Sequence, residues 1–275
     1  MPIANIGSSN IYYEMHGAGE PVLMIPGLGL DHNYYSLGLP SMSPHMQAIT
    51  VDPRGVGASS KDEGAYSVAS WADDFASLIE VLGHESVHVL GTSLGGTIAL
   101  ALALRHPEKV SSLIVVGAFS ELNESVYLNY SLRKRLIQQI GLSEEMADFI
   151  ALWILTPGFI ETDAGKRVAA DMRANIQQNS PNRYIKFLDA ILELGKRTPD
   201  FEPPLTAQLH KIKVPTLVAC ADNDHFIPAR LSRVIAERIA GAQYATVPDG
   251  GHIPFVERPE VVADMIVSFI QSLKS

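Results

Sequence analysis

Hydrophobic and polar positions along this 275-residue chain follow two alternating rhythms. Short runs rich in β-branched and aliphatic residues, at 11–15, 22–25, 48–51, 87–90, 113–116, 216–220 and 244–247, read as strands. Over 69–82, 97–105, 229–239 and 259–273, apolar residues recur at three- and four-residue spacing, which predicts helices. Ser67 stands where an N-cap of the first of these would be. Strands separated by helices imply a mostly parallel sheet and place the chain in the α/β class. The first two strands flank Gly17-Ala18-Gly19 and predict a hairpin or an antiparallel edge.

From about residue 120 to 205 the rhythm changes. Strand signals vanish, and Leu132, Leu136 and Ile140 recur at four-residue spacing, as do Phe187 and Ile191. The stretch ends on the Pro-rich run 198–204. This pattern predicts an all-helical cap, 120–205, inserted into a core made of 1–119 and 206–275. No internal repeat or low-complexity tract interrupts the chain.

One strand-to-helix junction carries a motif with chemistry. Gly91-Thr92-Ser93-Leu94-Gly95-Gly96 places G-x-S-x-G between the apolar run 86–90 and the Ala/Leu-rich run 97–104. A strand, a sharp Gly-flanked turn and a helix form the setting of a nucleophile elbow. The turn strains the serine backbone, small neighbours let strand and helix approach, and Oγ stands at the positive end of a helix dipole. A serine nucleophile needs a base, and the base needs an orienting carboxylate. His252 lies on the Gly-rich loop Asp249-Gly250-Gly251-His252, between a strand end and a helix. Between serine and histidine, the apolar run 214–221 ends at Asp222 and Asp224, both candidates for the third role. The N–H of Leu94, directly after the serine, is expected to donate to an oxyanion.

Composition narrows the partners. Hydrophobic residues make up 47% of the chain and charged residues 19%, and a chain of this length buries enough surface for one large core. With 21 basic and 30 acidic side chains the formal charge is −9. That disfavours nucleic acid, whose binding rests on basic patches, and adsorption to anionic membranes. The single cysteine, Cys220, sits in an apolar run and reads as a small buried hydrophobe. No basic start or long apolar stretch marks a secretory leader or a membrane span, so a cytoplasmic protein is expected.

Over essentially its whole length the chain resembles proteins of the α/β-hydrolase fold. The matching pieces are Ile25-Pro26-Gly27-Leu28-Gly29, the turn 52–59 that begins Asp52-Pro53-Arg54-Gly55, the Ser93 elbow, the Asp224 loop, and Gly251-His252-Ile253-Pro254 with the residues to Pro259. The order Ser…Asp…His is that of the family. Members carry G-x-x-D-x-x-x-P after the penultimate strand; Ala221 occupies the Gly position and Pro228 the last, so the resemblance assigns the acid role to Asp224. It also implies that the second oxyanion donor is the N–H of Leu28. Asp52 and Arg54 are expected to be structural.

Within that fold the chain is similar to 3-oxoadipate enol-lactonases and related small-ester hydrolases, through 153–159 and Asn179-Ser180-Pro181. The expected chemistry is hydrolysis of an ester or lactone by Ser93, His252 and Asp224, with no metal and no organic cofactor. Trp153, Met146, Phe149, Leu152, Phe159 and Phe187 are expected to wall the substrate pocket. Enol-lactonases hold a substrate carboxylate with a basic residue beside the cap tryptophan. Leu152 stands there instead, so a neutral or weakly polar small ester or lactone is expected. Arg133, Lys134 and Arg135 are the alternative source of positive charge, with a solvated helix face as the preferred reading of that run. Hydrolysis of a carbon–carbon bond in a vinylogous diketone, cofactor-free perhydrolysis and a ligand receptor with vestigial turnover are the rival readings. Dehalogenase and epoxide-hydrolase chemistry is disfavoured, because it uses Asp where this chain has Ser93. The oligomeric state is left open, with a homodimer as one option.

Overall fold

A computed structural model describes residues 2–7, 9–62, 64–194 and 203–274. Eight strands form one sheet: β1 (Ile3–Asn5), β2 (Asn10–His16), β3 (Pro21–Ile25), β4 (Gln47–Val51), β5 (Val87–Thr92), β6 (Val110–Val116), β7 (Thr216–Ala221) and β8 (Gln243–Val247). Their spatial order is β1-β2-β4-β3-β5-β6-β7-β8. β1 and β2 run antiparallel, as do β2 and β4, and the remaining neighbours are parallel.

The central strands are apolar along their whole length because both faces of the sheet are covered. In β3, Leu23 and Ile25 join one core while Val22 and Met24 join the other. In β6, Leu113 and Val115 face one way and Ile114 and Val116 the opposite way. The helices complete the two layers. α2 (Val68–Val81), α3 (Leu94–Arg105) and α10 (Ala229–Arg238) bury Trp71, Phe75, Leu100 and Ile235 on the first face. α1 (Leu39–Met42), α11 (Pro254–Glu257) and α12 (Pro259–Ser272) bury Met42, Phe255 and Ile266 on the second. Ser67 does cap α2, through a reciprocal pair in which Ser70 N donates to Ser67 Oγ and Ser67 N to Ser70 Oγ, both at 3.0 Å. Such a cap contributes about 1 kcal/mol.

Of the two arrangements expected for the first two long strands, the hairpin does not form, while the antiparallel edge does, through β2. The chain reverses at Gly17 (φ +76°) and Gly19 (φ +116°), but β2 pairs with β4, as in His16 opposite Ala48. β3 is buried on both faces and belongs inside the sheet, flanked by β4 and β5, whereas β2 carries Asn10, Glu14 and His16 and suits its rim. The three-residue strand β1 gave no periodic signal in the sequence.

Asp52 and Arg54 brace the turn after β4. Asp52 accepts from His32 N (2.9 Å), His32 Nδ1 (2.7 Å) and Ala58 N (2.7 Å). A Cβ on Gly57 would lie 2.0 Å from Asp52 Oδ2, so the turn requires glycine there. Arg54 reaches Asp74 (2.7 Å) and Ser70 (3.0 Å). Cys220 is buried on β7, and its thiol is pushed up chiefly by burial.

Between β6 and β7 the described residues contain no strand. They form α4 (Glu124–Ile140), α5 (Glu144–Ile154), α6 (Pro157–Ile160), α7 (Asp163–Asn175) and α8 (Pro181–Leu192), before α9 (Leu205–Gln208) leads back towards β7. Most of the expected Pro-rich return, residues 198–202, lies outside the described residues. Phe187 and Ile191 are buried on α8 as their spacing predicts, but α4 turns the other way. Its buried stripe is Val126, Asn129, Tyr130, Arg133 and Ile137, while Leu132 and Ile140 are exposed. No described helix is long and apolar enough to cross a membrane.

Candidate active site

Ser93 occupies the junction of β5 and α3 with φ 54° and ψ −121°, a conformation costly for a residue with a Cβ. The junction tolerates no bulk around it. A Cβ on Gly95 would lie 2.1 Å from Ile25 O, and one on Gly91 would lie 2.3 Å from Gly95 O. Ser93 N donates to Val116 O (2.9 Å), which ties the bend to β6.

Two loops deliver the partners. After β7, Asp224 turns inward, and its Oδ1 accepts from the N–H groups of Phe226 (2.9 Å) and Ile227 (2.8 Å). Its Oδ2 accepts from His252 Nδ1 at 2.8 Å, and His252 Nε2 lies 2.8 Å from Ser93 Oγ. All three side chains are buried. With Nδ1–H committed to the carboxylate, Nε2 is left as the acceptor for the serine proton. Asp222 remains exposed and accepts from Asn223 Nδ2 (3.1 Å). The Phe226 ring stands edge-on to the imidazole, with centroids 4.9 Å apart. The His252 loop is also tied to α5: His252 N donates to Ile154 O (3.0 Å), while Glu257 accepts from Thr156 N (3.2 Å) and Thr156 Oγ1 (2.6 Å). Burial pushes the Glu257 carboxyl up, against the pull of these bonds.

The loop after β3 runs beside the serine, since a Cβ on Gly27 would be 3.4 Å from Ser93 Cβ. The next residue, Leu28, lines the space over Ser93. Leu94 opens α3, where the first N–H groups have no partner within the helix. Both residues named as oxyanion donors therefore flank the serine.

Above Ser93 and His252 lies a cavity of about 640 Å³. Its walls are mostly apolar, including Leu30, Tyr34, Ile150, Ile154, Val168 and Met172, with Arg133, Arg167 and Asp171 as its charged lining. Burial pushes the phenols of Tyr34 and Tyr130 up, so both stay protonated.

The six residues expected as pocket walls do not line this cavity. α5 turns Ala147, Ile150 and Ile154 inward, which sends Leu152 (70% exposed) and Trp153 (39%) outward. Met146 is fully buried in the core and Phe149 packs against it. Phe187 packs against Tyr66 and Trp71, with centroids 4.8 and 5.6 Å away. Phe159 lines a separate surface cleft with Asn223 and Asp249. Sequence reasoning missed Tyr130 as a cavity residue and gave Arg133 only as the less favoured source of charge. The signal that could have found them is the spacing 126–130–133–137, which competes on α4 with 132–136–140.

The described grouping nearest to a metal set is Asp31, His32 and Asp52. Its buried carboxylate, Asp52, already accepts three protein hydrogen bonds, so the cluster serves as a brace.

Known proteins resemble this molecule along its length. A relative provisionally named carbamate hydrolase RutD, from Azorhizobium caulinodans, is 30% identical over 98% of both chains. A thermophilic esterase from Thermogutta terrifontis matches with a TM-score of 0.86 at 23% identity, covering 99% of this chain and 98% of that one. The enol-lactonase from Burkholderia xenovorans LB400 matches at 0.85 and 23%, covering 98% and 100%. These two likenesses speak to the fold. A family model described as the alpha/beta hydrolase fold matches residues 20–259, and the chain belongs to that family.

Proposed function

We propose that this protein is a serine hydrolase of carboxylic ester or lactone bonds. The observation that carries the reading is the unbroken chain Asp224–His252–Ser93, with both links at 2.8 Å, at the base of a mostly apolar cavity. In this mechanism Ser93 Oγ attacks the substrate carbonyl carbon while His252 Nε2 takes its proton. Asp224 holds the Nδ1–H tautomer and stabilises the imidazolium. The negative oxygen of the tetrahedral intermediate accepts from the N–H groups of Leu28 and Leu94. His252 then returns the proton to the leaving alkoxide, leaving an acyl-enzyme. A water activated by the same histidine hydrolyses it, releasing the acid and restoring Ser93. The helices of 120–205 act as a cap that walls the substrate off from bulk solvent. The chemistry calls on no group beyond these side chains and backbone donors.

A carbamate carbonyl is a second substrate class for the same attack, and the name of the 30%-identical relative favours including it. A panel of p-nitrophenyl esters of rising acyl length, small lactones and ethyl carbamates tests the reading. Multiple turnover on short esters or lactones is expected. Turnover confined to carbamates would move the assignment, and the absence of multiple turnover on every member would favour a binding protein.

A further inference from the structure

Arg133 brings a charge into the cavity that the described residues leave unanswered. Its side chain is 3% exposed and lines the same cavity as Ser93. A guanidinium stays protonated at any pH the protein meets. Yet no described carboxylate pairs with it, and its hydrogen bond runs from Nη2 to Asn129 Oδ1 (3.2 Å). Arg133 Nε and Asn129 Nδ2 are both buried without an acceptor. The donor at Arg133 fixes which way the Asn129 amide points, so the free ends of both side chains are donors. Tyr130 and Phe226 place their ring faces 5.5 and 5.1 Å from the guanidinium carbon. Ring faces favour the cation but give its N–H groups nothing to bond. A buried charge with idle donors is destabilising unless an anion arrives to meet it.

The neighbouring groups leave that role to Arg133. Lys134 pairs with Asp189, and Arg135 is exposed. Arg167 and Asp171, the other charged groups of the lining, are exposed on α7. Phe226 neighbours both Arg133 and the histidine: the ring-to-imidazole and ring-to-guanidinium separations, 4.9 and 5.1 Å, put the guanidinium no more than about 10 Å from the imidazole. A short diacid is the length of ligand that such a bound admits, with one carbonyl at Ser93 and a free carboxylate at Arg133.

We infer that Arg133 anchors a carboxylate borne by the substrate, so that the preferred ester or lactone carries a second, ionised carboxyl group on its acid portion. The inference rests on the hydrolase reading and deepens it. It reverses the neutral preference expected from Leu152, whose side chain points away from the cavity. A planar carboxylate meets a guanidinium with paired, charge-assisted hydrogen bonds, which an uncharged ester end cannot reproduce.

The test compares kcat/KM for monomethyl glutarate and dimethyl glutarate on the wild type and on Arg133→Met. The wild type is expected to favour the half-ester at least about tenfold, and the ratio to fall about 100-fold in the variant, chiefly through KM. Preference for the diester, or a ratio unmoved by the substitution, overturns the anchor. Calorimetric titration of glutarate into Ser93→Ala, with and without Arg133→Met, reads the same site without turnover. Arg133-dependent binding of glutarate alongside failure to turn over either ester and every member of the ester, lactone and carbamate panel would refute the hydrolase reading and leave the anchor standing. No binding to Ser93→Ala would refute the anchor itself. If Arg133→Met does not fold, the wild-type preference and the Ser93→Ala titration decide alone.

Discussion

Asp222 and Asp224 stand two residues apart, yet only one reaches the histidine. Asp224 divides its oxygens, Oδ1 to the backbone of Phe226 and Ile227 and Oδ2 to His252, whereas Asp222 stays at the surface. Asp224→Asn is expected to lower kcat about 10⁴-fold, because an amide cannot hold the same imidazole tautomer. Asp222→Asn is expected to leave kcat within about threefold, in line with a surface substitution. Steady-state kinetics of the two variants check this, and a reversed order would assign the acid role to Asp222. At this scale the meeting of Ser93 and His252 was legible because each stands among particular neighbours in the chain, a Gly-flanked elbow and a Gly-rich loop. Asp224 was legible only through the spacing to Pro228, since local turn chemistry suits either acid. Arg133 was legible only as one of three adjacent basic residues, with nothing to single it out. Charged side chains are almost never fully buried, so Arg133-Lys134-Arg135 reads as solvent-facing until a cavity is known to lie beneath it.

Among the elements, the elbow was the easiest to read, because its glycines answer to contacts that any such turn must make. Gly95 lies against β3, where an added Cβ would meet Ile25 O at 2.1 Å and Pro26 O at 2.4 Å. Neither oxygen belongs to a flexible side chain that could swing aside. Gly95→Ala is therefore expected to destabilise the fold by roughly 3 kcal/mol or more, as a shifted midpoint in urea denaturation. A loss below about 0.5 kcal/mol would show that strand and helix are not locked together there. The helices over the cavity were harder. The stretch as a whole was recognisable as helical, but the inward faces of α4 and α5 were not. The face of α4 that turns in carries Asn129 and Arg133, because it borders the cavity over Ser93 as well as the apolar core. Periodicity finds a stripe of apolar residues; it does not say which stripe a cavity will claim.

For the molecule as a whole, the layered α/β plan followed from the alternation of strands and helices, but the strand order did not. β2 passes over its sequence neighbour β3 to pair with β4, a choice set by burial across the assembled sheet. The cavity was equally out of reach, since it is assembled from segments as distant as Leu28, Arg133 and Val256. What those segments converge on is Ser93, and the account stands on Ser93 as the nucleophile. Labelling with a fluorophosphonate, followed by peptide mapping and kinetics of Ser93→Ala, tests this most directly. One adduct on Ser93, stoichiometric loss of turnover, and a fall in kcat of about 10⁴- to 10⁶-fold in the variant are predicted. An adduct on a different serine, or a variant that keeps its turnover within about tenfold, would contradict the account.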